Sequence, residues 1–391
     1  MSKLNITFIG LYEEQNFGDK IIADCTEKLY FDELGNTEFN VKRLCLDYVE
    51  KRQKLSLKVK IINKINRLIN INLNRIDSSQ KQKIEDYKKY YEINIKDSDI
   101  IIVVGGGLIK FTYQFFGGSI IALLETAYKN RIPVIFNSVG IEGYDEEDYK
   151  CQILKKALNI PIIRSFTTRD DLNTLKEKYL NGKPPMPCNF VCDPAVWVSE
   201  IYNVKKKKFS DVIGIGIGRA NLFVDNGIDF NKEQLFSLYY NLVKILRKKG
   251  YKVCLFTNGL FMDNDFAIEI LTELKGSDNM VELYIPQSPQ ELVKIIASFR
   301  GMIATRLHSN IIAYSLDVPS VGLVWNDKLS FFGKNIGASE YYLTYNKFQT
   351  DTIINTMETA IYYGYNQKLK EQFRNTIIQD IRQNVSFLLS N

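Results

Sequence analysis

The sequence lacks the residues and runs that metal sites and membrane spans require. Its 391 residues include one histidine and six scattered cysteines, and the close pair Cys188 and Cys192 has no second pair to complete a zinc site. Apolar runs such as residues 100–104 are far too short to cross a bilayer. The amino terminus has one lysine and then a short strand-like run, which is not a signal-peptide pattern. We therefore expect a cytoplasmic protein with reduced cysteines and no metal site.

Positive charge is concentrated in one segment of the chain. Residues 48–96 hold 13 Lys/Arg against 5 Asp/Glu, an excess of +8. Because the whole chain has a net charge of +6, the residues outside this segment have a net charge of −2. Nucleic-acid binding is therefore not expected. Within the segment, residues 55–73 form an amphipathic helical pattern with lysine, arginine and asparagine opposite the apolar face. Such a helix either lies peripherally on an anionic membrane or packs on the neighbouring lobe with one solvated face. Its apolar face consists of Ile61, Ile65, Leu68, Ile69 and Leu73.

Short apolar runs alternate with amphipathic helical patterns along most of the chain. Strands are predicted at 4–10, 39–46, 99–104, 133–139 and 160–165, and after a lysine-rich linker at 212–217, 252–256, 281–284, 301–304 and 320–324. Helices are predicted at 19–33, 119–129, 147–158, 170–179, 232–249, 265–274, 289–299 and 309–316, with a helical tail at 352–389. This alternation is typical of parallel sheets with right-handed crossovers.

The fold class that follows is α/β, with two Rossmann-like doubly wound lobes and a cleft between them. The predicted units are an N-terminal lobe over residues 1–199 that carries the basic insertion 48–96, a C-terminal lobe over 200–344, and C-terminal helices over 345–391. Ligands in such folds bind at the carboxyl ends of the strands.

The candidate residues of the second lobe follow two of its predicted strands. His308 and Arg306 come after strand 301–304, and Arg219 comes after strand 212–217. Histidine is the side chain that titrates near neutral pH, and two guanidinium groups at neighbouring strand ends would clamp a carboxylate or a phosphate. The alternatives are a core histidine bonded to a backbone carbonyl and two surface ion pairs.

The candidate residues of the first lobe follow its first and third strands. Asn16, Gly18 and Asp19 open the first helix, where backbone N–H groups and a glycine allow close approach of a ligand. Asp19 either caps this helix, the simpler interpretation, or accepts hydrogen bonds from a sugar hydroxyl. Gly105, Gly106 and Gly107 follow strand 99–104 and form either a ligand loop or a plain tight turn. The alternating glycines of residues 212–218 predict a bare strand face against which a helix packs.

Five motifs together resemble the polysaccharide pyruvyl transferase family. In chain order they are Asn16-Phe17-Gly18-Asp19, Ile101-Ile-Val-Val-Gly-Gly-Gly107, Thr168-Arg169-Asp170, Cys192-Asp193-Pro194-Ala195, and Thr305-Arg306-Leu307-His308 continuing through Pro319-Ser-Val-Gly-Leu to Lys328. The resemblance implies a fold like that of the GT-B glycosyltransferases, phosphoenolpyruvate as donor, no further cofactor, and a pyruvate ketal on a sugar of a surface polysaccharide or its precursor. The acceptor could be lipid-linked.

The resemblance also assigns roles by position. It implies that Arg219, Arg306, His308 and Lys328 bind the donor, and that the N-terminal lobe binds the acceptor near Asn16, Gly18, Asp19 and residues 105–107. We expect His308 to be the principal acid or base, with Arg306 and Arg219 beside it and no metal. The alternatives are a GT-B glycosyltransferase that uses a sugar nucleotide, and a non-catalytic carbohydrate-binding or scaffold protein.

Overall fold

The computed structural model describes residues 3–12, 16–46, 78–110, 116–180, 187–276 and 280–390. The predicted membrane-surface helix at 55–73 and most of the basic insertion lie outside these ranges. Among the described residues, no helix combines the length and the apolarity that crossing a bilayer would require.

The first lobe is a parallel sheet flanked by helices, in the strand order β2-β1-β3-β4-β5-β6. Its central strands are buried on both faces, as parallel strands covered by helices must be. Its elements are β1 (Leu4–Gly10), α1 (Phe17–Leu34), β2 (Phe39–Cys45), α2 (Ser78–Asn94), β3 (Ile100–Lys110), α3 (Gly117–Lys129), β4 (Val134–Glu142), α4 (Tyr149–Leu158), β5 (Ile163–Thr168), a π-helical segment (Thr174–Tyr179) and β6 (Cys188–Phe190).

The second lobe repeats this architecture with the strand order β12-β11-β10-β7-β8-β9. A short helical connection joins the lobes: a 3₁₀ turn (Pro194–Trp197) and α5 (Val198–Ile201). The elements that follow are β7 (Val212–Gly216), α6 (Lys232–Lys248), β8 (Lys252–Phe256), α7 (Phe261–Lys275), β9 (Glu282–Tyr284), α8 (Pro289–Ala297), β10 (Gly301–Ala304), α9 (Leu307–Ser315), β11 (Ser320–Leu323), α10 (Asp327–Asn335), β12 (Tyr342–Leu343), α11 (Thr350–Tyr363) and α12 (Gln367–Leu389).

The predicted fold class is confirmed, and each sheet has one point at which the strand order reverses. In the first lobe this point lies between β1 and β3, and in the second between β7 and β10. Crevices at the carboxyl ends of such strand pairs are where doubly wound folds bind their ligands. The candidate residues lie within β3, directly after β1, β7 and β10, and, for Lys328, on the helix that follows β11.

The helical tail is two helices, and the second returns to the first lobe. Gly364, with φ of 67°, ends α11 in a conformation that favours glycine. On α12, Asn384 donates to the hydroxyl of Tyr30 (3.1 Å), and Asp380 accepts from the amide of Asn137 (3.0 Å). Burial raises the pKa of Asp380 to about 7, against the opposite effect of these amide donors. The last helix therefore completes the core of the lobe that the chain forms first.

The bare strand face predicted at residues 212–218 exists, but an aromatic ring covers part of it. A side chain at Gly214 would overlap the ring of Phe299, which follows the end of α8, and one at Gly216 would contact Ala304 and Phe256. The groups that pack on this strand face are therefore the ring of Phe299, just after α8, and side chains of the neighbouring strands, instead of the helix that was expected. The flat ring fits because both glycines lack a side chain.

Candidate active site between the lobes

The first helix begins at Phe17, two residues before its predicted start, and this changes the role of Asp19. Asn16 is the N-cap: its side-chain oxygen accepts from the backbone N–H of Gly18 at 3.2 Å. The simpler interpretation of Asp19 as the cap is therefore wrong. Instead, its carboxylate accepts a hydrogen bond of 2.8 Å from the amide of Asn16, and its side chain is buried. The cap thus holds the carboxylate in place beside the cleft.

The three glycines were predicted to follow the end of their strand. In the structure they lie inside it. β3 continues to Lys110, with a shift of register against β4 between Gly106 and Ile109. A β-carbon at Gly105 would lie 2.6 Å from the carbonyl oxygen of Ser138. Gly106, with φ of 139°, adopts a conformation that favours glycine, and it faces Asp19. The glycines therefore allow the close approach of other groups along an irregular strand, and do not form a tight turn.

The two lobes meet where the imidazole of His308 packs on the backbone of Gly18. His308 lies in the first turn of α9, directly after β10, as predicted. A methyl group at Gly18 would overlap the imidazole ring at Nδ1. Next to this contact, the backbone N–H of Phe17 donates to the carbonyl of Asn258 at 3.2 Å, and the amide oxygen of Asn258 accepts from the hydroxyl of Ser309 at 2.6 Å. Candidate acceptor and donor residues thus belong to one site.

The environment of His308 favours a neutral imidazole. Burial lowers the pKa of His308 well below its usual value, and the positive charges of Arg169, Lys328 and Arg306 lower it further. The Nη1 atom of Arg169 lies 3.5 Å from Nε2 of the ring. Because a guanidinium group only donates, Nε2 accepts in this contact and the ring proton resides on Nδ1. This contact is not the bond to a backbone carbonyl that a purely structural histidine would make.

Arg169 is a central residue of the site to which sequence analysis assigned no role. It follows β5, its side chain is 4% exposed, and it forms an ion pair with Asp193, which is 2% exposed. Asp193 also caps the 3₁₀ turn that joins the lobes, by accepting from the backbone N–H of Ala195 at 2.8 Å. The motifs around both residues were visible in the sequence, but their pairing across 24 positions was not. The pair anchors the guanidinium that contacts His308.

Lys328 brings a second buried positive charge to the glycine strand. Its ammonium group lies 3.2 Å from the carboxylate of Glu142, on the other lobe, and a β-carbon at Gly107 would lie 2.6 Å from that ammonium. Burial lowers the pKa of Lys328, and Lys110 lowers it further, whereas Glu142 raises it. The glycine at position 107 thus leaves space for the lysine head group.

The carboxyl group of Asp19 is surrounded by positive charge but has a raised pKa. Burial is the largest cause, and the charges of Arg169, Lys110 and Lys328 oppose it. Burial likewise raises the pKa of Asp170, again against Arg169 and Lys328. Two buried carboxyl groups and a neutral imidazole at one cluster of cations can accept and release protons while anions bind beside them.

The two arginines predicted to clamp an anion follow the neighbouring strands β7 and β10, and both face carboxylates. Asp263, on the first turn of α7 and fully buried, binds the Nε and Nη2 edge of Arg306. Arg219 forms an ion pair with Asp225, and the two side chains are 23% and 45% exposed. The cations that lower the pKa of His308 include Arg306 and not Arg219. The role of Arg219 stays a prediction.

Comparison with known proteins identifies the family of the chain. The family model for polysaccharide pyruvyl transferase matches residues 16–327. The chain belongs to this family. The match spans both lobes and includes every candidate site residue except Lys328, which directly follows its last position. The family supports a transferase role, whereas no curated protein matches the chain in sequence.

Solved structures of other proteins share the fold at low sequence identity. A UDP-GlcNAc 2-epimerase from Neisseria meningitidis, bound to UDP-GlcNAc, is 14% identical, covers 100% of both chains and has a TM-score of 0.56. The MnaA protein of S. aureus with UDP is 12% identical, with coverage of 100% of this chain and 97% of that one and a TM-score of 0.54. A glycosyltransferase from Rickettsia africae is 13% identical, with coverage of 99% and 98% and a TM-score of 0.53. This pyruvyl transferase family member therefore has a two-lobed, GT-B-like fold.

The contact of Gly18 with His308 predicts that even a methyl group at position 18 destabilises the protein. In Gly18→Ala the added carbon would overlap the imidazole, so either the lobes move apart or the ring moves. We expect the free energy of unfolding to fall by about 1–3 kcal/mol, as for other overpacked sites. Chemical denaturation measures this loss.

The matched control is Gly118→Ala, in the first turn of α3. The nearest atom to a β-carbon there belongs to Ile84, at 3.4 Å, which is ordinary van der Waals contact. We expect this variant to be as stable as the parent or slightly more stable, since alanine favours a helix. Equal stability of the two variants would mean that the ring does not pack on Gly18.

Proposed function

We propose that this chain transfers the pyruvyl group of phosphoenolpyruvate to two hydroxyls of a sugar and thereby forms a cyclic pyruvate ketal. The observation that carries the proposal is the position of the His308 imidazole at the junction of the lobes, 3.5 Å from Arg169 and near the positive charges of Lys328 and Arg306, which together with burial lower its pKa. A donor with a carboxylate and a phosphate needs several positive charges. An acceptor hydroxyl needs a proton acceptor such as Asp19.

In the proposed reaction, C3 of the donor gains a proton and C2 becomes electrophilic. Two acceptor hydroxyls form bonds to C2, and the bond from C2 to the phosphate oxygen breaks. Of the two hydroxyl protons, one replaces the proton delivered to C3 and the other leaves with inorganic phosphate. His308 is the group that moves a proton between these partners, because bound anions would raise a pKa that burial and the cations hold low.

Arg306 would hold the donor with the part of its guanidinium that Asp263 leaves open. The carboxylate takes the Nε and Nη2 edge, so the Nη1 edge faces a ligand in this scheme. The pairing also fixes the plane of the guanidinium before the donor arrives. A preorganised group of this kind binds an anion with less loss of side-chain freedom than a mobile one.

Donor binding is tested by thermal unfolding with phosphoenolpyruvate and, separately, with UDP- and CMP-sugars. A ligand at 100 times its Kd adds about 2.7 kcal/mol to the free energy of unfolding, which shifts Tm by several degrees. We expect this shift with phosphoenolpyruvate, and we expect Arg306→Lys to reduce it, because an ammonium does not replace a planar fork. Arg300→Lys, at an exposed arginine before β10, is the matched control and should keep the shift.

A shift with a sugar nucleotide alone would contradict the proposal and favour the alternative, a glycosyltransferase with a sugar-nucleotide donor. Release of inorganic phosphate that depends on both phosphoenolpyruvate and a polysaccharide fragment would support transfer. Binding of carbohydrate without turnover of any donor would favour the non-catalytic alternative.

A further inference from the structure

A cluster of basic and aromatic residues lies on the second lobe, on the segment described above as a lysine-rich linker. Residues 205–208 are four consecutive lysines, and Phe209 directly after them is 88% exposed. Residues 206–211, together with Arg300 and Ile361, line an open groove of about 620 Å³. We call this surface, with the exposed tyrosines described next, the basic-aromatic patch.

Two further exposed aromatic rings directly follow, in the sequence, one of the residues that line this groove. Tyr362 and Tyr363 directly follow Ile361 at the end of α11, are 82% and 73% exposed, and pack edge to face at 4.9 Å between ring centroids. Large apolar groups are normally exposed singly on a soluble protein. Three exposed aromatic rings, on or directly after groove-lining residues, instead indicate a surface that binds a partner with an apolar part.

The charge of the patch is strongly positive. Its acidic member, Asp211, is neutralised by an ion pair with Lys252 at 3.1 Å. The nearby carboxylate of Asp317 is paired with Lys370 at 2.8 Å. The lysines at 205–208 and Arg300 therefore present a net positive surface to whatever binds there.

The patch and the candidate active site lie at opposite edges of the same sheet. The patch leads into β7, and Arg300 directly precedes β10, so both lie at the amino ends of parallel strands. Arg306 and His308 follow the carboxyl end of β10. A partner bound at the patch would therefore leave the cleft between the lobes open.

We propose that the basic-aromatic patch docks the protein on an anionic lipid surface. Lysines attract acidic head groups, while phenylalanine and tyrosine rings prefer the boundary between head groups and acyl chains. The combination suits a membrane better than a nucleic acid, because Tyr362 and Tyr363 pack edge to face and so do not present parallel ring faces on which successive bases would stack. This docking does not depend on the reaction that the cleft catalyses.

The test is flotation of the full chain with vesicles of phosphatidylcholine alone and with vesicles that also contain phosphatidylglycerol. We expect binding to the anionic vesicles only, weakened at high salt because exposed charges are screened. Replacing the lysines at 205–208 with glutamine should weaken binding roughly tenfold or more. Phe209→Ser should also weaken it, by removing an apolar anchor.

The controls separate this surface from general charge and from the basic insertion. Replacing Lys150, Lys155 and Lys156 on the first lobe with glutamine, and Tyr128→Ser at a ring that is 53% exposed, should leave binding unchanged. Each variant keeps residues 48–96, and each should keep the parent's Tm and turnover.

Three outcomes would overturn the proposal. The parent chain could fail to bind the anionic vesicles. The patch and control variants could bind equally, which would assign the contact to another segment. Finally, a short oligonucleotide or heparin could bind the parent as tightly as the vesicles do and displace them at low concentration. If the patch variants also lost this binding, the patch would be a general polyanion-binding surface.

Discussion

Replacing His308 with alanine is expected to lower kcat by about 10²–10⁴-fold, the usual contribution of a positioned acid or base. The imidazole is the group in the described site that titrates nearest to neutral pH without perturbation, and the charges of Arg169, Lys328 and Arg306 act on it. His308→Gln is the companion variant, because it fills most of the space against Gly18 and keeps a polar side chain. Turnover of either variant within a few-fold of the parent would remove His308 from the chemistry.

The protonation state of His308 can be read directly, because the chain has one histidine. In protein without a histidine tag, the imidazole NMR signals report this residue alone. We expect the ring to stay neutral well below pH 6.5, and we expect phosphoenolpyruvate to raise its pKa. A normal titration near pH 6.5 in the unliganded protein would contradict the buried, cation-flanked site.

The lowered pKa of His308 also fixes the sign of its effect on stability. As pH falls below about 6.5, the unfolded chain gains a proton on this histidine and the folded protein does not, so unfolding becomes more favourable. The contribution of the residue is therefore present above pH 6.5 and is lost as pH falls toward the folded pKa, by up to about 1.4 kcal/mol per pH unit. The difference between the parent and His308→Gln in urea unfolding, measured from pH 7 to 5, isolates it.

Replacing Arg169 with methionine is expected to lower the free energy of unfolding by about 3–5 kcal/mol, because it leaves the buried carboxylate of Asp193 without its cation. Both side chains of the pair are at most 4% exposed. The variant also removes the donor to Nε2 of His308 and a charge that lowers the pKa of that ring. The imidazole pKa should therefore rise in Arg169→Met, which a purely structural role of the arginine would not cause.

The matched control for this prediction is an exposed ion pair. Lys28 and Asp32 lie four residues apart on α1, with side chains 53% and 55% exposed. Lys28→Met should cost less than about 1 kcal/mol, because water screens such pairs. The double variant Arg169→Met/Asp193→Asn should recover part of the loss, since no charge is then left unpaired. A loss as small as that of Lys28→Met would mean that water reaches Asp193.

Most of the fold could be predicted because its strands are buried parallel runs that stand out as apolar segments. The misses have local causes. Strands β6 and β12 contain three and two residues, too few for a pattern, and both lie at sheet edges. The end of β3 was misplaced because a run of glycines usually ends a strand, whereas here it continues through an irregular register. Helix α10 was missed, although it carries Lys328.

The site was predicted in part. Residues whose role follows from their place at the end of a strand were found in the sequence, whereas the orientation of residues that depend on a distant partner was not. His308 and Gly18 follow strand ends, and strand ends are visible in the sequence. Arg169 acquires its role from Asp193 and from a histidine on the other lobe, and Arg306 is oriented by Asp263 on a different helix. A single sequence gives no sign of such long-range pairs. The cap of α1 was assigned to the wrong residue because Asn16 and Asp19 both suit the position.

The return of α12 to the first lobe has a consequence for synthesis on the ribosome. Nascent chains generally fold from the amino terminus as domains emerge. Here the buried amide of Asn137 and the hydroxyl of Tyr30 find their partners on Asp380 and Asn384, more than two hundred residues later. The first lobe therefore stays incomplete until α12 has been translated and has left the ribosome. A premature stop before α12 would leave an exposed apolar face for chaperones or proteases, even though every residue of the candidate active site had already been translated.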